Sequence, residues 1–263
     1  MLALICGTGD LPAKIATAQK DAPLICVLDG FDPTGLDVDL HFSLETLGSF
    51  LIELGHRGVT EVCFCGGIER PQIDPAKLDA NTAPLVPLLM GALKSGDDAA
   101  LRAIMGLFEQ TGFTVRAAHE LAPELIAQPG VLSEKWPDAQ MRTDAKLGAD
   151  VLAALAPMDV GQACVTGGGQ LLGVETIGGT DHLIASLPKA SQIAQGVLVK
   201  GPKIGQDTRA DMPTIGARTV EKVIEAGLAG IVIDAGDVLL LDADRCVSLA
   251  NAAGIVLWSR TGE

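Results

Sequence analysis

The sequence is poor in aromatic residues and in positive charge, and each shortage excludes a class of function. Its 263 residues include no Tyr, and aromatic residues make up only 3% of the chain. Because proteins that stack single-stranded bases need aromatic side chains, this class is excluded. The 19 Lys and Arg residues face 33 Asp and Glu residues, which gives a formal net charge of −14. DNA and RNA are therefore excluded as bulk partners, since binding their backbones requires clustered cations.

Long apolar runs are also missing, and so is the pattern of an export signal. No apolar run approaches the roughly 18 residues that span a bilayer. The first ten residues, MLALICGTGD, have neither a basic start nor a long apolar stretch. The six cysteines lack the spacing of a zinc site or a redox pair, and five lie within or beside apolar runs. We therefore expect a cytoplasmic protein with buried, reduced thiols, in which any lipid contact comes from an apolar patch.

The order of apolar runs predicts an α/β protein with two domains. In the first half, strand-like runs alternate with segments of helical length, and these runs are Leu2–Cys6, Pro23–Leu28, Val59–Cys65 and Phe113–Arg116. Such alternation predicts a parallel, Rossmann-like sheet covered on both faces. Pro and Gly interrupt the pattern near residue 130. We expect an N-terminal domain over 1–130, a linker over 131–141 and a mixed α/β C-terminal domain over 142–263, with the active site in the cleft between them.

Two glycine loops follow strands of the first half. They contain Gly7, Gly9, Asp10 and Pro12 in the first loop, and Gly66, Gly67 and Arg70 in the second. Backbone N–H groups at such a loop can bind a phosphate beside a helix N-terminus, and ligands collect at the carboxyl ends of parallel strands. Pro12 stands where a dinucleotide fingerprint has its third glycine, so we interpret the loops as a nucleotide-phosphate site and not an NAD site. A tight strand–helix turn and a surface arginine are the structural alternatives.

The segment Lys200–Gly216, KGPKIGQDTRADMPTIG, concentrates charged residues between glycines and prolines. We take Lys200, Lys203 and Arg209 as catalytic candidates because a phosphate needs cations. Asp207 and Asp211 are candidates both for catalysis and for holding Mg²⁺ or Mn²⁺, which prefer oxygen ligands. If the segment is extended, the two aspartates and the arginine project to one side. A solvated surface loop is the structural alternative.

Three further residues are substrate-binding candidates because they lie at predicted helix starts. Thr180 and Asp181 follow Gly178-Gly179, and Thr214 begins a predicted helix after the charged segment. Helix capping is the structural alternative for Asp181. Helix capping and a ligand contact are also the two roles considered for Asp97 and Asp98. We expect one aspartate to cap a helix and the other to contact a metal or substrate.

Taken together, the motifs resemble a known family. GTGDLP, GGIERP, KSGDD and FEQTGFTVRAAHE in the first half, with Gly161–Ile184, Val197–Gly216 and Ala226–Gly236 in the second, are similar to UDP-2,3-diacylglucosamine pyrophosphatases of the LpxI type. The resemblance covers nearly the whole chain, and several motifs in one order are much more specific than any single one. It implies two α/β domains and makes Asp211, in the match to Asp-x-Pro-x-Ile-Gly, the essential carboxylate.

The resemblance also implies a reaction and a location. The enzyme is expected to hydrolyse UDP-2,3-diacylglucosamine to UMP and 2,3-diacylglucosamine 1-phosphate (lipid X) with Mg²⁺ or Mn²⁺, in the lipid A biosynthesis of a Gram-negative bacterium. We expect it in the cytoplasm, in transient peripheral contact with the inner face of the cytoplasmic membrane, and a homodimer is left open. Asp234 stands where a glutamate is common, which puts a metal role for Asp234 in doubt. Two alternatives stay open: a non-catalytic nucleotide-sugar or lipid-binding module, and a phosphoryl or nucleotidyl transferase.

Overall fold

The structure, a computed structural model, divides into two compact units. It describes residues 1–69, 72–94, 96–188, 195–203, 205–209 and 211–261, with Asp97 described by its backbone alone. One unit is Met1–Pro123 together with Asp207–Asp211, and the other is Glu124–Gln206 together with Met212–Glu263. Residues 131–141, predicted as a linker, fall within the second unit.

The first unit is built on a parallel sheet. Its strands are β1 (Leu2–Cys6), β2 (Leu24–Leu28), β3 (Leu40–Phe42), β4 (Glu61–Cys65) and β5 (Thr114–Val115), in the order β3-β2-β1-β4-β5. Its helices are α1 (Leu11–Ala18), α2 (Leu47–His56), α3 (Val86–Lys94), α4 (Asp97–Gln110) and α5 (Ala118–Leu121). All strand pairs are parallel, as the continuous apolar runs predicted. The strand order reverses between β1 and β4, which is where open α/β sheets bind ligands.

The few aromatic side chains are concentrated in the core of this unit. Five of the six Phe residues pack against one another, and these are Phe42, Phe50, Phe64, Phe108 and Phe113. The rings of Phe42 and Phe50 stack with centroids 4.0 Å apart, whereas Phe64 meets Phe108 edge to face at 5.1 Å. Aromatic rings fill much core volume per residue, so these five anchor α2 and α4 to the sheet.

The second unit contains a mixed sheet and a small parallel pair. The sheet strands are β6 (Gly130–Val131), β7 (Ala163–Gly167), β8 (Gln170–Val174), β9 (Val197–Lys200), β11 (Gly230–Asp234) and β13 (Val256–Arg260), in the order β6-β13-β11-β9-β7-β8. The pair consists of β10 (Thr214–Ile215) and β12 (Leu239–Leu240), and the helices are α6 (Ala139–Leu155), α7 (Gly179–Ser186), α8 (Ala217–Glu225) and α9 (Ala243–Ala253). Strands β9, β11 and β13 are parallel to one another. The other pairs, β6 with β13, β7 with β9 and β8 with β7, are antiparallel. The prediction of an α/β fold with one parallel sheet and one mixed α/β domain is confirmed.

One helix starts later than the sequence suggested. We predicted a helix from Thr214, but Thr214 and Ile215 form β10 and pair with β12. Gly216 then has an extended backbone, with φ −151° and ψ −174°, and α8 begins at Ala217. Thr and Ile are β-branched, so local preference favours a strand for these two residues at least as much as a helix. Their pairing with the buried Leu239 and Leu240 of β12 selects the strand.

The cysteine side chains lie in the core. All six cysteines are buried and free. Burial raises the pKa of the Cys26 and Cys164 thiols to about 12, so these groups stay protonated and unreactive. Among the helices of the described residues, none is both long and apolar enough to cross a bilayer.

Candidate functional site

The two predicted glycine loops are joined to each other at the switch point of the first sheet. Gly7 N–H donates to the Cys65 carbonyl at 2.8 Å, while Thr8 and Gly67 exchange backbone bonds of 2.8 and 2.9 Å. A Cβ on Gly7 would lie 2.3 Å from the Gly67 oxygen, so only glycine allows this approach. Gly66 has φ +91° and also faces the Gly7 backbone. The backbone N–H groups of Gly7, Thr8 and Gly67, which the sequence analysis treated as possible phosphate ligands, thus donate to carbonyl groups of the protein instead.

The open part of the first loop is its last few residues. Gly9 has φ +94° and open space where a Cβ would be, and the exposed Asp10 precedes α1 without a side-chain capping bond. Pro12 is buried in the first turn of α1, a place where a missing N–H costs nothing. Gly9 and Asp10 are both exposed, and the Gly9 carbonyl accepts the Thr34 backbone N–H at 3.1 Å. Arg70, the predicted partner in the second loop, lies outside the described residues.

Asp207 and Arg209 bind each other in a tight turn. The Asp207 carboxylate accepts bonds from Arg209 Nε at 3.0 Å and Nη2 at 2.8 Å, and from the Arg209 backbone N–H at 3.1 Å. The arginine lowers the pKa of the Asp207 carboxyl below its ordinary value. The backbone turns at residues 208–209, so the condition of an extended segment, under which these side chains and Asp211 would project to one side, is not met. An aspartate that accepts the N–H two residues ahead stabilises a turn instead.

The same turn is bound to helix α4. Arg209 Nη1 donates to Glu109 at 2.6 Å, and the Asp207 backbone N–H donates to Asp98 at 3.0 Å. Asp98 also accepts from Arg102 at 2.7 Å. Asp98, which we expected to cap a helix or to contact a metal or substrate, instead fixes residues 207–209 within the first unit. Glu109 and Arg102 were missed because nothing in their sequence context separates them from ordinary exposed helix residues.

A chain of polar groups, with buried charges at both ends and the half-buried Thr180 between them, lies at the carboxyl end of β9 in the second unit. Lys200 ends β9 and is only 8% exposed, and its Nζ donates to the Thr180 hydroxyl at 2.9 Å. Thr180 is in turn 3.2 Å from Oε2 of Glu175, which follows β8 and is 9% exposed. The structure therefore brings together two predicted site residues and adds Glu175. A charged residue directly after an apolar strand was the signal that could have identified it.

Lys203 forms an ion pair with a residue the sequence did not indicate. Its ammonium contacts the Asp159 carboxylate, and both side chains are largely buried. Asp159 has φ +53°, a left-handed conformation that only a few non-glycine residues adopt. This strained backbone ends the turn after α6 and directs the carboxylate to Lys203. Both predicted lysines thus lie in the second unit, and each has a fixed partner.

Asp234 and Arg260 form a second ion pair at the same edge of this sheet. Arg260 Nε lies 2.7 Å from the Asp234 carboxylate, and both residues end parallel strands. Burial raises the pKa of Asp234, and the arginine opposes that shift. A Cβ on Gly201 would lie 2.2 Å from Asp234 Oδ2, so the glycine after Lys200 leaves room for this carboxylate. Asp234 therefore shapes the loop that follows β9.

The remaining two candidates have local partners. Asp181 binds Arg218 at 2.8 Å and Lys222 at 2.7 Å, which joins α7 to α8. The Thr214 hydroxyl donates to the Met212 carbonyl at 3.0 Å. Asp181 therefore has a structural role in helix packing, and its predicted contact with the substrate stays a prediction.

The described residues do not form a prepared metal centre. Among them, no group of three or more His, Cys, Asp or Glu side chains is arranged to hold a metal ion. Both oxygens of Asp207 are hydrogen-bonded to Arg209, so this carboxylate does not fit as a metal ligand as it stands. Asp211 lies in the first unit with the same turn.

Comparison with known proteins gives the relationship of the chain. Residues 1–125 match the model of the LpxI N-terminal domain, and residues 128–258 match that of the LpxI C-terminal domain. UDP-2,3-diacylglucosamine pyrophosphatase LpxI of Caulobacter vibrioides is 34% identical over 266 residues, which cover 97% of this chain and 95% of that protein. The prediction that the chain is an enzyme is confirmed to the extent that this relative is named for an enzymatic activity. The two domain matches and the nearly full-length identity show that the chain belongs to the LpxI family.

Proposed function

We propose that the protein hydrolyses the pyrophosphate bond of UDP-2,3-diacylglucosamine in lipid A biosynthesis, releasing UMP and 2,3-diacylglucosamine 1-phosphate. One observation carries the proposal: the chain matches, along nearly its entire length, a relative named for this pyrophosphatase activity. The match includes both domains, so it is not limited to a shared fold. A UDP-linked sugar carries its negative charge on the pyrophosphate, which is the group that cationic side chains would recognise.

The described geometry supports a phosphate site in the second unit. Lys200 is buried at the end of β9, and Lys203 follows it by three residues with its side chain 10% exposed. Charges in such a poorly hydrated environment interact more strongly with a phosphate than exposed lysines do. In the reaction these ammonium groups would stabilise the charge that develops on the phosphoryl oxygens. Asp211, the carboxylate in the most specific motif, is our candidate for orienting the attacking water.

The proposal includes a requirement for Mg²⁺ or Mn²⁺. When bound, such a cation would neutralise phosphoryl charge and orient water. Because the described side chains form no complete ligand set, we assign the metal no protein geometry. We also propose that the enzyme works in the cytoplasm at the inner membrane surface, where a substrate with two acyl chains would be found.

The test is an assay of the purified chain with UDP-2,3-diacylglucosamine, with Mg²⁺ or Mn²⁺ or with EDTA, that measures released UMP. We expect hydrolysis that EDTA abolishes. The Asp211→Asn variant should lose at least about a hundredfold in kcat, since a group acting in the transition state contributes several kcal/mol. The matched control is Asp150→Asn, because Asp150 is an exposed α6 residue whose partner is Lys146, and it should retain full turnover.

The alternatives give different results in the same assay. Substrate binding without UMP release would indicate a non-catalytic binding module. Transfer of the nucleotidyl or phosphoryl group to an added alcohol would indicate a transferase. Full activity in EDTA would refute the metal requirement and leave the hydrolase proposal intact. Unchanged turnover of Asp211→Asn would refute the role of that carboxylate.

A further inference from the structure

The side chain of Glu175 differs from the other buried carboxylates in what it binds. Among the described residues, Glu45, Asp144 and Glu175 are the buried acids. Glu45 accepts the Asp74 backbone N–H, and Asp144 accepts the N–H groups of the glycine turn between β7 and β8. Those two carboxylates therefore stabilise loops. Glu175 instead meets the hydroxyl of Thr180, a side chain that connects it to another buried charge.

The direction of these hydrogen bonds is fixed by chemistry. The Lys200 ammonium can only donate, so the Thr180 hydroxyl accepts its bond of 2.9 Å. The single proton of that hydroxyl is then directed to Glu175 Oε2, 3.2 Å away. Hydrogen bonds in such a chain polarise one another. The carboxylate thus makes the hydroxyl a better acceptor and holds the ammonium in one position.

Packing holds Glu175 in place. A Cβ on Gly161 would lie 2.6 Å from Glu175 Cβ and 2.7 Å from its Cγ, so this glycine leaves space for the Glu175 side chain. The Glu175 backbone N–H donates to the Ala163 carbonyl at 2.8 Å. A side chain confined in this way loses little entropy when it holds a partner. The remaining N–H groups of Lys200 can then be presented to an anion.

We propose that Glu175 is a positioning residue that acts through Thr180 to orient the Lys200 ammonium toward the substrate's pyrophosphate. This inference rests on the proposed function, because it takes a phosphate-bearing substrate as the ligand of Lys200. Thr180 then serves as the connection between two charges, in place of the direct substrate contact that the sequence suggested. Glu175 does not touch the reacting atoms.

The test compares Glu175→Gln and Thr180→Val, alone and combined, with Thr180→Ser and with the control Glu225→Gln on the exposed end of α8. Glutamine keeps the shape and a hydrogen-bond acceptor but removes the charge. We expect Glu175→Gln to lower kcat/KM by roughly tenfold to a hundredfold, as for other residues that orient a site group. Thr180→Val should do the same, the double variant should be no worse than the worse single variant, and Thr180→Ser should retain more activity than Thr180→Val.

Urea unfolding of each variant separates positioning from a structural role. Loss of kcat/KM with an unchanged unfolding midpoint supports positioning, whereas additive losses in the double variant, or wild-type kcat/KM in Glu175→Gln, would overturn it. Binding of inorganic pyrophosphate, measured by calorimetry, provides a readout independent of turnover. If the wild-type chain hydrolyses no UDP-2,3-diacylglucosamine, the proposed function fails. In that case equal pyrophosphate affinity of wild type and Glu175→Gln overturns the inference, and a tenfold weaker affinity of the variant supports it.

Discussion

The closest backbone contact at the first sheet's switch point makes Gly7→Ala a sharp test of the fold described here. The added Cβ would lie 2.3 Å from the Gly67 oxygen, 2.7 Å from the Gly67 carbonyl carbon and 2.8 Å from Ile68 Cγ1. Nonbonded heavy atoms pack at roughly 3.5 Å, so the second glycine loop would have to move by more than about 1 Å. Two of the three contacts are with backbone atoms, and a side-chain rotation cannot relieve them.

The cost follows from the bonds that this movement breaks. Thr8 and Gly67 exchange two backbone hydrogen bonds, of 2.8 and 2.9 Å, and each contributes about 1 kcal/mol net. Overpacking itself costs about 1–3 kcal/mol. The Gly7→Ala variant should therefore lose about 3–5 kcal/mol of the free energy of unfolding of the first unit.

Urea unfolding followed by circular dichroism measures this loss, and Gly106→Ala is the matched control. Gly106 lies within α4, in the same unit, with open space where its Cβ would be. Alanine there should stabilise by about 0.5–1 kcal/mol, because glycine is a poor helix former. A Gly7→Ala variant as stable as wild type would show that the two loops are not joined as described.

Two further predictions concern the ion pairs. Gly201→Ala should displace the Asp234 carboxylate from Arg260 and lower the free energy of unfolding by about 2–3 kcal/mol. In an Asp234→Ala background the same substitution should cost much less. Equal costs in the two backgrounds, measured by urea unfolding, would contradict the contact between residue 201 and Asp234. The pKa of Asp207 is lowered in the folded state. The ionised carboxylate therefore stabilises the fold fully above the unfolded-state pKa of about 4, and this contribution is lost as pH falls through the folded-state pKa. Asp207→Asn should therefore show a shallower loss of stability on acidification than wild type, and parallel profiles would refute this role.

The fold could be predicted largely because its strands are buried on both faces. In β1, β2 and β4 four of the five residues are buried, so each strand appears in the sequence as a continuous apolar run. Strand β10 could not be found in this way. It has two residues and depends on pairing with β12, a contact that no local pattern records.

The sequence could indicate candidate residues for the site but not the partners that these residues have in the fold. Spacing suggested that Asp207 and Arg209 would act on a ligand together, but they bind each other and α4. Glu109 is 100 residues from Arg209 in sequence, and Asp98 is 109 residues from Asp207. The spacing of residues within one motif does not identify partners that lie so far away in the sequence.

Neighbouring residues of one motif also have separate roles. Thr180 and Asp181 are adjacent in α7, yet they contact different elements. The Thr180 hydroxyl accepts a hydrogen bond from Lys200, whereas the Asp181 carboxylate forms ion pairs with Arg218 and Lys222 of α8. Successive residues of a helix point about 100° apart, so adjacent polar residues cannot share one ligand easily. A motif at a helix start therefore combines packing and site residues.

The partners of the three predicted phosphate-binding cations differ in a way that bears on function. Arg209 is shared by two carboxylates, and Lys203 is paired with Asp159. A phosphate that approached either cation directly would meet the negative charge already beside it, so Lys203 and Arg209 would stabilise phosphoryl charge less directly than Lys200. Among the residues that the structure describes, the direct partner of Lys200 is instead a neutral hydroxyl, and the carboxylate lies one hydrogen bond further away. A phosphate can therefore bind the remaining N–H groups of Lys200 without displacing an anion, and this makes Lys200 the cation around which the phosphate site is most readily built.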